Sequence, residues 1–85
     1  MTLVEDFGRL VRQLREARDW SQEQLAERCG LNRSYVGEVE RGRATASIVT
    51  ARKFALAFEL DLSGLFAHCE ALGQRRRTAD ADWRL

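Results

Sequence analysis

The sequence predicts an all-α protein of five helices in a single small domain. Apolar residues recur every three or four positions along most of the chain, and no segment shows the alternation typical of a strand. Serine or asparagine precedes several of these periodic segments, glycine follows them, and no proline interrupts them. With 85 residues, of which 45% are apolar, the chain can fill one modest core and is too short for two.

The first helix is predicted over residues 3–18. Its apolar positions have helical spacing and are separated by arginine, glutamine and glutamate, which is the pattern of an amphipathic helix. It is expected to end near residues 18–20. The apolar residues with this spacing are Leu3, Phe7, Leu10, Val11 and Leu14.

Two short helices follow with little chain between them. Ser21 and Gln24 have the spacing of a capping box, so the second helix begins there, and Gly30 suits the left-handed position that ends it. Asn32 is expected to cap the third helix and Gly42 to end it. So short a connection makes the two helices cross steeply, which is the helix-turn-helix arrangement. The expected inward residues are Leu25, Ala26 and Cys29 on the second helix and Val36 and Val39 on the third.

The last two helices are predicted after the loop "RATA". Ser47 can cap the fourth, and the fifth should run from about Ser63 to Leu72, where Gly73 would end it. Residues 1–73 therefore form the predicted domain, and residues 74–85 a tail that is either mobile or associated with a dimer. The expected inward residues of the fourth helix are Ile48, Ala51, Phe54, Ala55 and Phe58.

Composition excludes several classes of protein. No apolar run is long enough to span a bilayer, and the N-terminus carries acids where a signal peptide has basic residues, so we expect a cytoplasmic, nucleoid-associated protein that does not contact membranes. Cys29 and Cys69 lack the spacing of a zinc site and are expected to be reduced thiols. His68, Cys69 and Glu70 are adjacent and cannot converge from a helix. We expect no catalytic residues, no metal, no cofactor and no small-molecule effector.

The middle of the chain resembles the helix-turn-helix of Cro and lambda-repressor-type regulators, the Xre family. The likeness covers roughly residues 8–67, and in overall size and in the segment "NRSYVGEVERG" the chain is also similar to controller proteins of restriction–modification systems. The resemblance implies a five-helix lambda-repressor-like DNA-binding domain with its helix-turn-helix in helices two and three. It rests on Gln22, Leu25, Ala26, Gly30, Leu31, Tyr35, Val36, Val39, Glu40, Gly42 and "LDLSGLF".

The resemblance implies that the third helix reads double-stranded DNA in the major groove. Arg33, Ser34 and Glu38 would lie on its outward face, with Gly37 between them allowing close approach. Arginine can bind guanine O6 and N7, glutamate can accept from cytosine N4, and serine can do either. Glu38 could instead orient Arg33. Charge supports this interpretation, since six basic and two acidic residues lie between Arg28 and Lys53 although the net charge is only +1.

Phosphate contacts would hold the third helix in register. A separate pair is structural: the resemblance implies a salt bridge between Arg15 and Glu40 that fixes the helix orientation. Tyr35 has the alternative of packing with a wet hydroxyl, and Ala46 stands where the family often has proline, which leaves its loop less rigid. The expected phosphate contacts are Gln22, Tyr35, Arg41, Arg43 and Thr45.

One such module reads few base pairs, so the expected state is a homodimer on a pseudo-palindromic operator. Leu62 and Phe66 could equally belong to the core alone. In the tail, Trp83 and Leu85 are either incidental or fold onto the partner, and the arginines at 75–77 are either solvated or on flanking DNA. The expected dimer interface comprises Leu56, Leu62, Phe66, Cys69 and Leu72.

The predicted function is therefore a sequence-specific transcriptional regulator. RNA polymerase is a further candidate partner, because a dimer near a promoter blocks or contacts it according to where the operator lies. The alternative function is an antitoxin or adaptor whose main role is to bind a protein, with DNA binding for autoregulation. A steep salt dependence of operator binding without any partner would favour the regulator.

Overall fold

The computed structural model describes the backbone of residues 2–82 and the side chains of residues 2–77, so Trp83 and Leu85 lie outside it. This part of the chain folds into helices joined by short loops and contains no strand. The all-α prediction is confirmed. The helices are α1 (Leu3–Ala17), α2 (Gln22–Cys29), α3 (Arg33–Glu40), α4 (Ile48–Ala57) and α5 (Leu62–Asp82).

Helix α1 begins with a capping box that the sequence analysis missed. The Thr2 hydroxyl accepts from the Glu5 amide, and the Glu5 carboxylate accepts from the Thr2 amide at 2.7 Å. The apolar face of the helix packs against α3 and α5. Phe7, Leu10 and Val11 are buried there and belong to the hydrophobic core.

Helices α2 and α3 are bounded by the residues that the sequence predicts. Ser21 and Gln24 form the capping box of α2, and the Asn32 side chain accepts from the Ser34 amide at 2.7 Å. Gly30 and Gly42 have φ of 67° and 73°, a left-handed conformation that glycine adopts without a steric cost. Each turn bonds its amides back to the last carbonyls of the preceding helix. These local bonds fix the tight connection between α2 and α3.

Helix α4 starts at the Ser47 cap and packs against α2 and α5. The prediction of its inward face is wrong at one position, because Ile48 is 73% exposed. Ile48 is the first residue of the helix, one turn before the first buried residue, and its side chain stays in solvent. The buried residues are Ala51 and Phe54 with Ala55, followed by Phe58 at the C-cap.

The predicted end of α5 at Gly73 is wrong, since the helix continues to Asp82. Gly73 does not cap the helix but allows a close approach: a Cβ there would lie 2.8 Å from Asp6 Oδ2. One turn later, Arg76 Nη2 donates to the same buried carboxylate at 3.0 Å. A mid-helix glycine costs only about 1 kcal/mol of helix propensity. The contact with Asp6 on α1 can offset that cost, so the helix continues beyond Gly73.

Both cysteines are free and buried. Burial raises the pKa of the Cys29 thiol to about 11 and also raises that of Cys69, so both stay protonated near neutral pH. Cys69 is 1% exposed and belongs to the core, so its placement in an exposed apolar patch is wrong. It follows Leu65 by four residues on the face of α5 that packs inward, whereas Phe66 lies one residue further round.

An aromatic and cationic stack ties the α1–α2 loop to the end of α4. The Trp20 and Phe58 rings stack with centroids 6.0 Å apart, and the Arg28 guanidinium lies 4.2 Å from the Trp20 centroid. Arg18 lies over Phe58 and donates to its carbonyl oxygen at 2.8 Å. The stack holds the start of α2 against α4.

Candidate nucleic-acid interface

The outward side of α3 and the start of α2 form one open, concave and mainly polar surface. Arg33 and Ser34 are exposed at the N-terminal end of α3, where the Asn32 cap leaves them pointing away from the core. Opposite them, Val36 and Val39 are buried. The residues that line this surface, called the α3 surface below, are Gln22, Arg33, Ser34, Gly37, Glu38 and Arg41.

A buried polar network fixes the α3 surface relative to the rest of the fold. Arg15 Nε and Nη2 donate to the two oxygens of Glu40 at 2.7 and 3.1 Å, and Gln22 Nε2 donates to Glu40 at 3.0 Å. The hydrogen bond to Glu40 raises the pKa of the Arg15 guanidinium above its ordinary value. The network joins α1, α2 and α3 at one carboxylate. It brings the Arg15–Glu40 pair together and adds Gln22, whose bond to Glu40 no local pattern in the sequence indicates.

Gly37 lies between the polar residues of α3, but its immediate surroundings differ from the expectation. It is buried, because the side chains of Arg41 and Gln22 cover it. A Cβ at Gly37 would lie 3.3 Å from both terminal nitrogens of Arg41. The Arg41 guanidinium therefore lies across α3 and also comes within 3.6 Å of Glu38 Oε1.

The remaining predicted phosphate contacts lie in the first turn of α3, at Tyr35, and in the loop after the helix, at Arg43 and Thr45. The Tyr35 hydroxyl donates to the Thr45 carbonyl oxygen at 3.3 Å, which holds this loop against α3. Tyr35 is half-buried, whereas Thr45 and Arg43 are exposed. Arg43 and Thr45 thus follow the C-terminal end of α3, whereas Arg33 begins the helix.

The residues predicted for a dimer interface do not share one environment. Leu56 is 63% and Phe66 36% exposed, whereas Leu62 and Leu72 are half-buried against the core. Phe66 borders an apolar groove together with Leu3, Phe7, Ala46 and Ala51. Only Leu56 and Phe66 therefore offer large exposed apolar area among the predicted set.

The described part of the chain also bears on catalysis, metal binding and membrane insertion through the positions of its side chains: the three adjacent residues His68, Cys69 and Glu70 differ in exposure. His68 and Glu70 are exposed while Cys69 is buried, so the three side chains point apart. Among residues 2–77 no group of three or more histidine, cysteine, aspartate or glutamate side chains could hold a metal ion. None of the helices described above is long and apolar enough to cross a membrane.

Comparison with known proteins gives consistent matches over the helix-turn-helix. Residues 11–65 match the protein family described as HTH_3, helix-turn-helix. A hypothetical transcription factor from Neisseria meningitidis serogroup B is 45% identical over 47 residues, which are 55% of this chain and 44% of that protein. The control protein C.MunI from a Mycoplasma species is 35% identical over 65 residues, which are 75% of this chain and 88% of C.MunI.

A solved structure matches as well. The restriction-modification controller protein C.AhdI from Aeromonas hydrophila superposes with a TM-score of 0.69 at 45% identity, over 73% of this chain and 94% of that one. The chain thus spans less than half of the Neisseria protein and most of each control protein. The matched segment includes the whole α3 surface.

Proposed function

Because the chain belongs to the HTH_3 helix-turn-helix family of DNA-binding transcriptional regulators, we propose that it binds a two-fold symmetric operator as a homodimer, with α3 in the major groove. The single observation that supports the proposal is the α3 surface. There the donors and acceptors of one short helix face solvent, and the Arg15–Glu40 pair fixes that helix to α1. The major groove is about 12 Å wide and admits one helix. Its readers must therefore come from one outward face, and the α3 surface is such a face.

Base readout falls to the exposed side chains of α3. Arg33 stands at the N-terminal end, which leads into the groove in helix-turn-helix proteins, and its guanidinium matches guanine O6 and N7. Ser34 can donate to or accept from a neighbouring base. Glu38 accepts from cytosine N4 one turn further along the helix.

Phosphate contacts hold α3 in register. Gln22 starts α2, where free backbone amides favour an anion, and its bond to Glu40 fixes its amide beside α3. Arg43 and Thr45 contact the DNA backbone beyond the C-terminal end of α3, and Tyr35, whose hydroxyl bonds to the Thr45 carbonyl oxygen, joins them from its first turn. The sequence also places Arg41 with this group, but its guanidinium lies on the α3 surface.

Dimerisation follows from the small footprint of one module. Two copies of α3 about 34 Å apart read successive major grooves on one side of DNA. Leu56 on α4 and Phe66 on α5 supply exposed apolar surface for pairing, and Leu62 and Leu72 on α5 are half-buried. A two-fold interface uses the same patch on both copies, which matches a pseudo-palindromic site.

Selection of bound sequences from a random duplex library tests the proposal. At about 150 mM salt, where non-specific binding is weak, the purified protein should recover a two-fold symmetric motif with half-sites about one helical turn apart. Light scattering after size-exclusion chromatography should give the mass of a dimer. If a folded protein recovered no motif, the proposal would fail, and a protein partner would be the next target.

Replacing Arg33 with alanine should relax specificity at one base pair in each half-site, with a loss of about 1–3 kcal/mol in discrimination. Arg43→Ala is the matched control, since both arginines are exposed and flank α3. It should weaken binding to all sequences alike and lower the salt slope by about 1. Equal, uniform losses in both variants, measured by anisotropy on operator and point-mutated duplexes, would show that Arg33 does not read a base.

A further inference from the structure

The Arg41 side chain takes an unexpected path. Arg41 is the C-cap of α3, and from there its side chain turns back over Gly37, four residues earlier. Both terminal nitrogens stand 3.3 Å from the point where a Cβ of Gly37 would be. The guanidinium therefore occupies space that any other residue at position 37 would partly fill.

The Glu38 carboxylate forms an ion pair with the Arg41 guanidinium through one oxygen, and its other oxygen has no hydrogen-bond partner in the described part of the chain. Its Oε1 lies 3.6 Å from Arg41 Nη2, and the two side chains are 43% and 51% exposed. Its Oε2 is shielded from solvent, and no donor among the described side chains reaches it. Because Oε2 is shielded where it stands, a ligand donor can satisfy it only when the half-exposed Glu38 side chain turns outward.

We propose that Arg41 and Glu38 act together as one reading unit for a single G·C base pair, with Arg41 donating to guanine and the Glu38 carboxylate accepting from cytosine. Guanine O6 and cytosine N4 are neighbours in the major groove because they hydrogen-bond to each other. An arginine donor beside a glutamate acceptor has the complementary arrangement. Arg41 is thus a specificity-determining residue, not one of the phosphate contacts.

Gly37 leaves room for this arrangement. A Cβ at position 37 would lie 3.3 Å from the Arg41 terminal nitrogens, so the guanidinium would have to shift by a few tenths of an ångström. Without the guanidinium beside it, Glu38 would face the base pair as an uncompensated carboxylate near phosphates. Paired with Arg41, it is neutralised locally, which removes the repulsion that would otherwise oppose its entry into the groove.

This inference rests on the proposed function, and its test uses the operator that the wild-type protein selects. Glu38→Ala first identifies the base pair that Glu38 reads, as the position whose preference is lost. Arg41→Ala should lose preference at that same pair, with discrimination falling by about fivefold to a hundredfold, while the preference at the Arg33 position persists.

Arg41→Lys separates a base role from a phosphate role. Lysine keeps the charge but not the fork of parallel N–H donors, so it should fail to restore discrimination at that pair. If Arg41→Ala weakened binding to every duplex equally, and lysine restored it, Arg41 would be a phosphate contact and the reading unit would be wrong while the proposed function stood. If the wild-type protein selected no motif, the proposed function itself would fail.

Discussion

Replacing Glu40 with alanine is expected to destabilise the domain by about 3–5 kcal/mol. The substitution removes the carboxylate that receives Arg15 and Gln22, and leaves a guanidinium that is only 13% exposed without its counter-charge. Because the network joins α1, α2 and α3, the loss should appear as lower global stability. Urea unfolding followed by circular dichroism at 222 nm measures it.

The exposed pair Arg12–Glu16 on α1 provides the matched control. Arg12 Nε lies 3.3 Å from Glu16 Oε2, and the two side chains are 63% and 53% exposed. Glu16→Ala should therefore change the free energy of unfolding by no more than about 0.5 kcal/mol. Similar small effects of Glu40→Ala and Glu16→Ala would mean that the buried network does not hold the helices together.

Gly8→Ala is expected to cost at least about 3 kcal/mol or to prevent folding. A Cβ at position 8 would clash with the Val39 carbonyl oxygen and lie 3.0 Å from that of Glu40. Both are backbone atoms at the end of α3, so relief requires α1 to move away from α3. Thermal unfolding and the urea midpoint report the loss.

Gly37→Ala is the control for that substitution, because it too changes a buried helical glycine. There the neighbouring atoms are the ends of the flexible Arg41 and Gln22 side chains, 3.3 and 3.4 Å away, which can shift. Alanine also favours the helix by about 1 kcal/mol, so stability should stay within about 1 kcal/mol of the wild type. If Gly8→Ala were equally harmless, the close packing of α1 on α3 would be incorrect.

Much of the fold could be predicted because its signals are local. Ser21 with Gln24, Asn32 and Ser47 each cap the helix that was expected to follow. A cap needs only a side chain and the amides two or three residues beyond it, so sequence spacing contains the whole interaction. The capping box of Thr2 is equally local and could have been found by the same rule.

Burial was predicted less well where it depends on neighbours. Helical periodicity gives the side of a helix on which Ile48 or Cys69 lies, but not whether another element covers that side. Ile48 lies at the start of its helix with its side chain in solvent, and Cys69 is buried in the core on α5, which packs against α1 and α4. Gly73 was misread for a similar reason, because a glycine can serve a helix end or a close contact, and only Asp6 distinguishes them here.

The candidate site divides in the same way. The positions of Arg33, Ser34 and Glu38 on the outward face of α3 follow from a period of 3.6 residues, and their roles on DNA stay predictions. The fold of the Arg41 side chain over Gly37 and the bond from Gln22 to Glu40 could not be predicted, since long side chains have many rotamers of similar energy.

The sequence by itself determined the class of fold, the helix starts and the two glycine turns, because these depend on interactions within a few residues of the chain. Only the tertiary structure decided that Arg76 on α5 bonds to Asp6 on α1, in the part of α5 that continues beyond Gly73, and that Glu40 joins three helices. Those contacts link residues 70 and 25 positions apart. Their geometry exists only after the helices have packed, which no local pattern encodes.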